Sequence, residues 1–221
     1  MTDSSDGSLG ANVSTPNEEP DPRAAAARER ILTAAIDSLS ENGFNGISLS
    51  SVAKRAGFTR SGLLHHFESK EVLLREALGH RLLSNAKAVH VIETATANEM
   101  LDAIVRMVEF TLWVKNATRA YQILAAEATA PDHPAHAWFA EQFAFVRGNM
   151  AAAIRRSIAN GEARPDVDVD AVTFQLLAMS DGLQLHWLHS EGSDPLASAR
   201  YMVELIRADI AAGPAGGKAN S

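Results

Sequence analysis

Hydrogen-bond donors are concentrated between residues 59 and 67, in a segment without any acidic side chain. The strongest of these donors are Arg60, Ser61, His65 and His66. Leu63 and Phe67, four residues apart, would give a helix in this segment one apolar face. Guanidinium, hydroxyl and imidazole groups can donate to base edges and to phosphates. A short helix that is apolar inward and donor-rich outward is suited to the major groove of DNA.

The flanking residues predict how this segment is held. Ser48 is a natural N-cap for a helix over Leu49 to Ala56, and Gly57 can adopt the left-handed conformation that ends such a helix. Thr59 then caps a second helix, Arg60 to Phe67. Two short helices joined by a turn that contains glycine form a helix-turn-helix unit.

The same stretch resembles the TetR family of bacterial transcriptional regulators. The resemblance covers roughly residues 28–78 and rests on separated motifs in the family's order, namely Val52-Ala53, Ala56-Gly57-Phe58-Thr59, His66-Phe67, Ser69-Lys70-Glu71 and Leu73-Leu74. Leu64 stands where the family commonly has tyrosine, which removes a hydroxyl that could contact phosphate. Gly62 lies inside the second helix, where glycine costs about 1 kcal/mol of helix propensity relative to alanine.

The resemblance implies a set of residues that contact operator DNA. Arg60 would read guanine or bind phosphate, whereas Ser48, His66 and Lys70 would hold the DNA backbone. Lys70 begins a helix capped by Ser69, where a cation is unfavourable unless an anion docks there. The full set is Ser48, Thr59, Arg60, Ser61, His65, His66 and Lys70.

The net charge of −7 is unevenly distributed along the 221 residues. Residues 1–22 carry five acidic and no basic side chains and are predicted to be a disordered acidic tail. Residues 23–81 carry a balance of +3, and the remainder carries −5, so the positive charge falls on the predicted DNA-binding segment. The absence of cysteine, of a signal peptide pattern and of an 18-residue apolar run predicts a cytoplasmic protein without a membrane span.

Helical periodicity continues along the chain, which predicts an all-α fold without strands or internal repeats. We expect a DNA-binding head over residues 23–80, a larger helical body for effector binding and dimerisation over 81–211, and a disordered tail over 212–221. The predicted helices outside the helix-turn-helix are Arg23 to Asn42, Lys70 towards Ile92, Met100 to Asn116, Ala120 to Ala130, Ala135 to Asn160, Asp170 to Ser190 and Leu196 to Ala211.

In the family that the chain resembles, the body surrounds a small-molecule cavity and its last helices form a homodimer. Bulky and polar residues that could line the cavity are Met107, Phe110, Trp113, Glu127, His136, Phe139, Phe143, Met150 and Phe174. Apolar residues that could form a four-helix interface between two protomers are Leu176, Met179, Leu183, Trp187, Met202, Val203, Ile206 and Ile210. Ordinary core packing is the alternative for both sets.

The family resemblance implies a transcriptional repressor that a small-molecule ligand releases from its operator DNA, and two other classes of function are alternatives. The pairs His133/His136 and His186/His189 have a spacing that can hold a metal, and a metal-dependent helical enzyme would need such a site. No carboxylate completes a recognisable ligand set, and no catalytic or nucleotide-binding motif occurs, so no cofactor is expected. The other alternative is a helical module whose helix-turn-helix binds protein instead of DNA.

Overall fold

The computed structural model describes residues 22–83, 95–190 and 192–212, which form helices joined by short turns with no strand among them. The helices are α1 (Pro22–Asn42), α2 (Leu49–Ala56), α3 (Arg60–Leu64), α4 (Lys70–Leu83), α5 (Ala97–Trp113), α6 (Lys115–Glu127), α7 (His136–Ala159), α8 (Val169–His189) and α9 (Pro195–Ile210). The all-α prediction is confirmed. The predicted tails, apart from Pro22 and Ala212, and the continuation of α4 towards Ile92 lie outside the described residues.

Local chemistry explains where several helices of the body begin. Thr96 and Glu99 form a capping box at the start of α5, so this helix begins three residues before the predicted Met100. Side chains of Asp168 and Asp194 accept backbone N–H bonds at the starts of α8 and α9. These caps satisfy amide groups that otherwise have no intrahelical partner.

Two hydrophobic cores hold the helices together. The first contains the apolar stripe of α1 with residues of α2, α3 and α4, and it continues into α6 and α7 through Leu124 and Phe139. The second joins α5, the C-terminal half of α7, α8 and α9, with Leu101, Ile154 and Leu176 completely buried. The predicted head therefore shares its core with two helices of the body.

One predicted helix of the body is interrupted. The predicted helix over Met100 to Asn116 ends at Trp113, because Val114 leaves helical geometry with φ −112° and ψ 47°. The chain resumes as α6 at Lys115, five residues before the predicted Ala120. Within the described residues, no helix is long and apolar enough to cross a membrane.

Candidate nucleic-acid interface

The turn between α2 and α3 has the geometry of a helix-turn-helix. Ser48 accepts the Ser51 N–H at 3.1 Å, and the Ser51 hydroxyl in turn accepts the Ser48 N–H at 3.0 Å. Gly57 ends α2 with φ 77°, a conformation that L side chains rarely adopt. Thr59 caps α3 by accepting the Gly62 N–H at 3.1 Å. The predicted caps at Ser48 and Thr59 are therefore present.

Helix α3, together with the turn that follows it, has its donors on the outer face and its apolar side chains on the inner face. Arg60, Ser61 and His65 are exposed, whereas the side chains of Leu63 and Phe67 are buried in the first core. The predicted end of this helix at Phe67 is wrong. Regular helix ends at Leu64, and the following turn is irregular because the His66 N–H bonds to the Leu63 carbonyl at 2.9 Å, three residues back.

Two of the predicted phosphate contacts have partners within the protein. The His66 ring is half-buried, with an edge-on contact to the Phe58 ring at 6.2 Å between centroids. The Lys70 ammonium donates to the Phe44 carbonyl at 3.1 Å and lies 3.8 Å from the centroid of the Phe44 ring. Lys70 was predicted to bind a DNA phosphate at the start of α4, whereas in the structure its ammonium bonds Phe44, which lies 26 positions upstream.

Two acidic side chains reduce the positive charge of the predicted DNA-binding head. Arg55 donates to both carboxylate oxygens of Glu41 at 2.6 and 2.7 Å, and this interaction lowers the pKa of Glu41. At the start of α4, the Glu71 carboxylate accepts hydrogen bonds from its own backbone amide and from the Ser69 hydroxyl. These hydrogen bonds lower the pKa of Glu71. A phosphate at this helix terminus would therefore meet a carboxylate, whereas the outer face of α3 carries none.

The predicted pocket residues lie in different environments in the described part of the chain. Phe139 and Phe143 pack in or against the first core, and Met150 lies in the second. Trp113 and Phe174 are 83% and 66% exposed, so the expectation that they line an enclosed pocket is wrong. Met107 is exposed and Phe110 is half-buried. Sequence periodicity identified apolar helix positions but did not indicate which side of each helix is covered.

The two predicted polar anchors of the pocket have structural partners. Glu127 accepts the Phe44 N–H at 2.9 Å, and the His136 ring nitrogen Nδ1 lies 2.8 Å from the Ala128 carbonyl oxygen. Both residues therefore stabilise connections between chain segments. Among the described residues, no three histidine, aspartate or glutamate side chains form a group that could hold a metal ion.

The predicted dimer residues divide into two groups. Leu176, Val203, Ile206 and Ile210 are buried inside the protomer, in the second core, so their assignment to a dimer interface is wrong. The other four are half-buried, namely Met179, Leu183, Trp187 and Met202. The outward faces of α8 and α9 instead expose large apolar side chains that the sequence analysis did not assign to this role, and these are Phe174, Leu185, Tyr201 and Leu205.

Two further groups were not predicted from the sequence. Tyr121 on α6 and Asp181 on α8 are half-buried near each other, and burial raises the pKa of both side chains, with the Asp181 charge also raising that of Tyr121. Beside them, Gln122 donates to Gln184 at 3.3 Å. Only the packing of α6 against α8 brings these residues together, so their sequence spacing gave no signal.

Comparison with known proteins agrees with this architecture. The family model "Bacterial regulatory proteins, tetR family" matches residues 31–77, and "BetI-type transcriptional repressor, C-terminal" matches residues 97–212. The HTH-type transcriptional regulator RutR of Escherichia coli strain K12 is 44% identical over 52 residues, which are 23% of this chain and 24% of RutR. The chain thus matches about a quarter of the length of that relative.

Solved structures share the fold at low sequence identity. The transcriptional regulator FadR from Bacillus subtilis, in complex with stearoyl-CoA, aligns with a TM-score of 0.70 at 20% identity, over 82% of this chain and 98% of FadR. NalD, the secondary repressor of the MexAB-OprM multidrug efflux pump in Pseudomonas aeruginosa, aligns with a TM-score of 0.69 at 20% identity. The alignment covers 86% of this chain and 98% of NalD. With its helix-turn-helix and more than half of its length matched by the family's models, the chain belongs to the TetR family of bacterial transcriptional regulators.

Proposed function

We propose that this regulator binds a two-part DNA operator as a homodimer and represses transcription until a small-molecule effector releases it. The observation that carries the proposal is the outer face of α3, where Arg60, Ser61 and His65 are exposed donors on a helix anchored by Leu63 and Phe67. A face of this kind fits the acceptor-rich major groove.

The individual contacts follow from the chemistry of each side chain. Arg60 can bond guanine O6 and N7 in a bidentate manner, and Ser61, Thr59 and His65 supply shorter donors to neighbouring groups. Ser48 and His66 would contact the DNA backbone without reading its sequence. Lys70 can join them only if its ammonium leaves the Phe44 carbonyl.

The exposed faces of α8 and α9 support a homodimer. Phe174, Leu185, Tyr201 and Leu205 are each at least 46% exposed and lie on adjacent packed helices. Large apolar side chains exposed on two adjacent helices are expected to be covered by another surface. Two copies of the helix pair would form an isologous four-helix contact, and such a dimer would present α3 to successive major grooves about 34–36 Å apart.

Effector control requires a contact that links the body to the head. Glu127 of α6 provides one through the Phe44 N–H, and the first core extends across the same boundary. The α6–α8 contact contains the half-buried polar side chains of Tyr121 and Asp181, and this contact is the candidate effector-binding region. A coupling free energy of about 1–3 kcal/mol between effector and operator would suffice for regulation.

The test is selection of DNA by the purified protein from a random duplex library. The proposal predicts enrichment of one sequence with two related half-sites, followed by protection of both half-sites from cleavage. A compound that raises the melting temperature of the protein should then weaken binding to the enriched duplex. Failure to enrich any sequence would favour the alternative in which this helix-turn-helix binds a protein. Membership of a family of transcriptional regulators removes the enzyme hypothesis.

A further inference from the structure

Helix α3 is too short to fix its own position. It contains five residues, of which Gly62 is a poor helix former, and isolated helices shorter than about 12–15 residues are marginal in water. Leu63 and Phe67 anchor one side of this segment in the first core. The direction in which its donors point must therefore also depend on contacts at its two ends.

Arg30 of α1 holds the end that precedes α3. Its Nη2 donates to the carbonyl oxygen of Ala56, the last residue of α2, at 2.7 Å, and its guanidinium lies 5.0 Å from the centroid of the Phe58 ring. A Cβ added to Gly57 would lie 2.7 Å from the same Nη2. Gly57 is thus needed for its left-handed conformation and for the close approach of Arg30. A cation at the C-terminus of α2 is also favoured by the helix dipole.

Arg28, also on α1, holds the end that follows α3. Its Nη1 donates to the His66 carbonyl at 3.4 Å, and its guanidinium lies 4.5 Å from the centroid of the Phe67 ring. Glu76 of α4 forms an ion pair with the same guanidinium. One arginine therefore links α1, the turn after α3 and α4.

We propose that Arg28 and Arg30 are positioning residues for operator recognition. They act on DNA through α3, because their guanidinium groups bond the carbonyls of His66 and Ala56 on either side of it. The two arginines would fix the angle of the recognition helix, and hence which base edges Arg60 and Ser61 reach. This inference rests on the proposed function, since it concerns the same DNA-binding surface.

The test compares two properties of each variant, the preference for one DNA sequence and the dependence of affinity on salt. The probes are the duplex enriched by the wild-type protein and a scrambled duplex of equal length and composition. An arginine that bonds phosphate contributes about one unit to the slope of log affinity against log salt, whereas a positioning arginine contributes none. The two roles therefore give different results even when both variants bind more weakly.

In Arg30→Gln, the ratio of the affinity for the enriched duplex to that for the scrambled duplex should fall about tenfold. A loss of this size is expected when a hydrogen bond from a charged group is removed. The salt slope on scrambled DNA should not change. Arg75→Gln is the matched control, because it removes a positive charge from an exposed position of α4. The Arg75→Gln variant should keep the wild-type ratio of the affinities for the enriched and the scrambled duplex.

Glu76→Gln keeps every cation of the head and removes only the carboxylate that forms an ion pair with Arg28. It should lower the preference for the enriched duplex while affinity for scrambled DNA stays equal or rises. This variant therefore tests the role of Arg28 without replacing Arg28 itself. A wild-type ratio in both Arg30→Gln and Glu76→Gln, or a parallel loss on both duplexes with a reduced salt slope, would overturn the inference. Failure of the wild-type protein to enrich any duplex would instead reject the proposed function.

Discussion

The carboxylate of Glu127 accepts the backbone N–H of Phe44 at 2.9 Å and so joins α6 of the body to the loop that follows α1 in the head. The same loop is held from two other sides. The His133 ring meets the Phe44 ring edge-on at 4.6 Å between centroids, and the Lys70 ammonium lies over its face. Phe44 is therefore one of the residues through which the head contacts the body.

Replacing Glu127 with alanine should destabilise this connection. The Phe44 N–H would lose its acceptor in a partly buried position, so the free energy of unfolding should fall by about 1–3 kcal/mol. Urea denaturation followed by circular dichroism measures the change. Glu109→Ala, at an exposed position of α5, is the control and should stay within about 0.5 kcal/mol of the wild type. Equal unfolding midpoints for the two variants would show that the contact contributes no stability.

Gly43→Ala should perturb the same contact from the other side. Gly43 has φ 67°, and an added Cβ would lie 2.7 Å from Oε1 of Glu127. Gly161→Ala is a matched control, because Gly161 has φ 74° but no atom within 4 Å of an added Cβ. Both variants should lose about 1 kcal/mol from backbone strain, and Gly43→Ala should lose more. If thermal unfolding shows equal losses, the approach of Glu127 does not depend on Gly43.

A charge placed on the outer face of α9 should separate the proposed dimer. Leu205 is 48% exposed, so Leu205→Glu should leave the protomer folded while opposing burial of this face against a second copy. Sedimentation velocity should show a monomer, and affinity for the enriched duplex should fall because one half-site is lost. Met107→Glu, at an apolar residue of α5 that is 41% exposed, should remain dimeric. A dimeric Leu205→Glu variant would place the interface elsewhere.

The sequence predicted the parts of this protein that depend on neighbouring residues. The caps at Ser48 and Thr59, the left-handed Gly57 and the two inward side chains of α3 are all encoded within a few positions, and all were predicted. Contacts between distant segments were not, because Glu127 lies 83 positions from Phe44 and Arg30 lies 26 from Ala56. The apolar stripes of α8 and α9 were predicted from their periodicity. Periodicity did not show that the protomer buries half of the predicted dimer residues in its own core, while other apolar residues of these helices remain exposed.

Asp181 should make stability depend on pH in the acidic range. Burial raises its pKa in the folded protein, so the folded state favours the protonated form more than the unfolded state does. This residue's contribution therefore becomes less favourable as pH rises from the unfolded pKa through the folded one. Asp181→Asn should be more stable than the wild type at pH 7, and the difference should shrink as the pH falls below the ordinary range of aspartate. Melting temperatures across that range measure it, and a difference independent of pH would contradict the assignment.

Arg60→Ala should remove sequence recognition without affecting the fold. Arg60 is exposed, so the loss of its side chain should change stability by less than about 0.5 kcal/mol. The loss of a bidentate contact with a base should cost about 1–3 kcal/mol of operator binding. Fluorescence anisotropy with the enriched duplex measures this cost, with Arg75→Ala as the control for charge. Wild-type affinity in Arg60→Ala would exclude the proposed role of Arg60.

The most direct test of the central claim is the affinity of the wild-type protein for its enriched duplex and for a scrambled duplex over a series of salt concentrations. We expect a preference for the enriched duplex at every salt concentration and a steep fall of both affinities as salt rises, because phosphate contacts release counterions. Equal affinity for the two duplexes, or binding that is insensitive to salt, would contradict sequence-specific recognition by the outer face of α3.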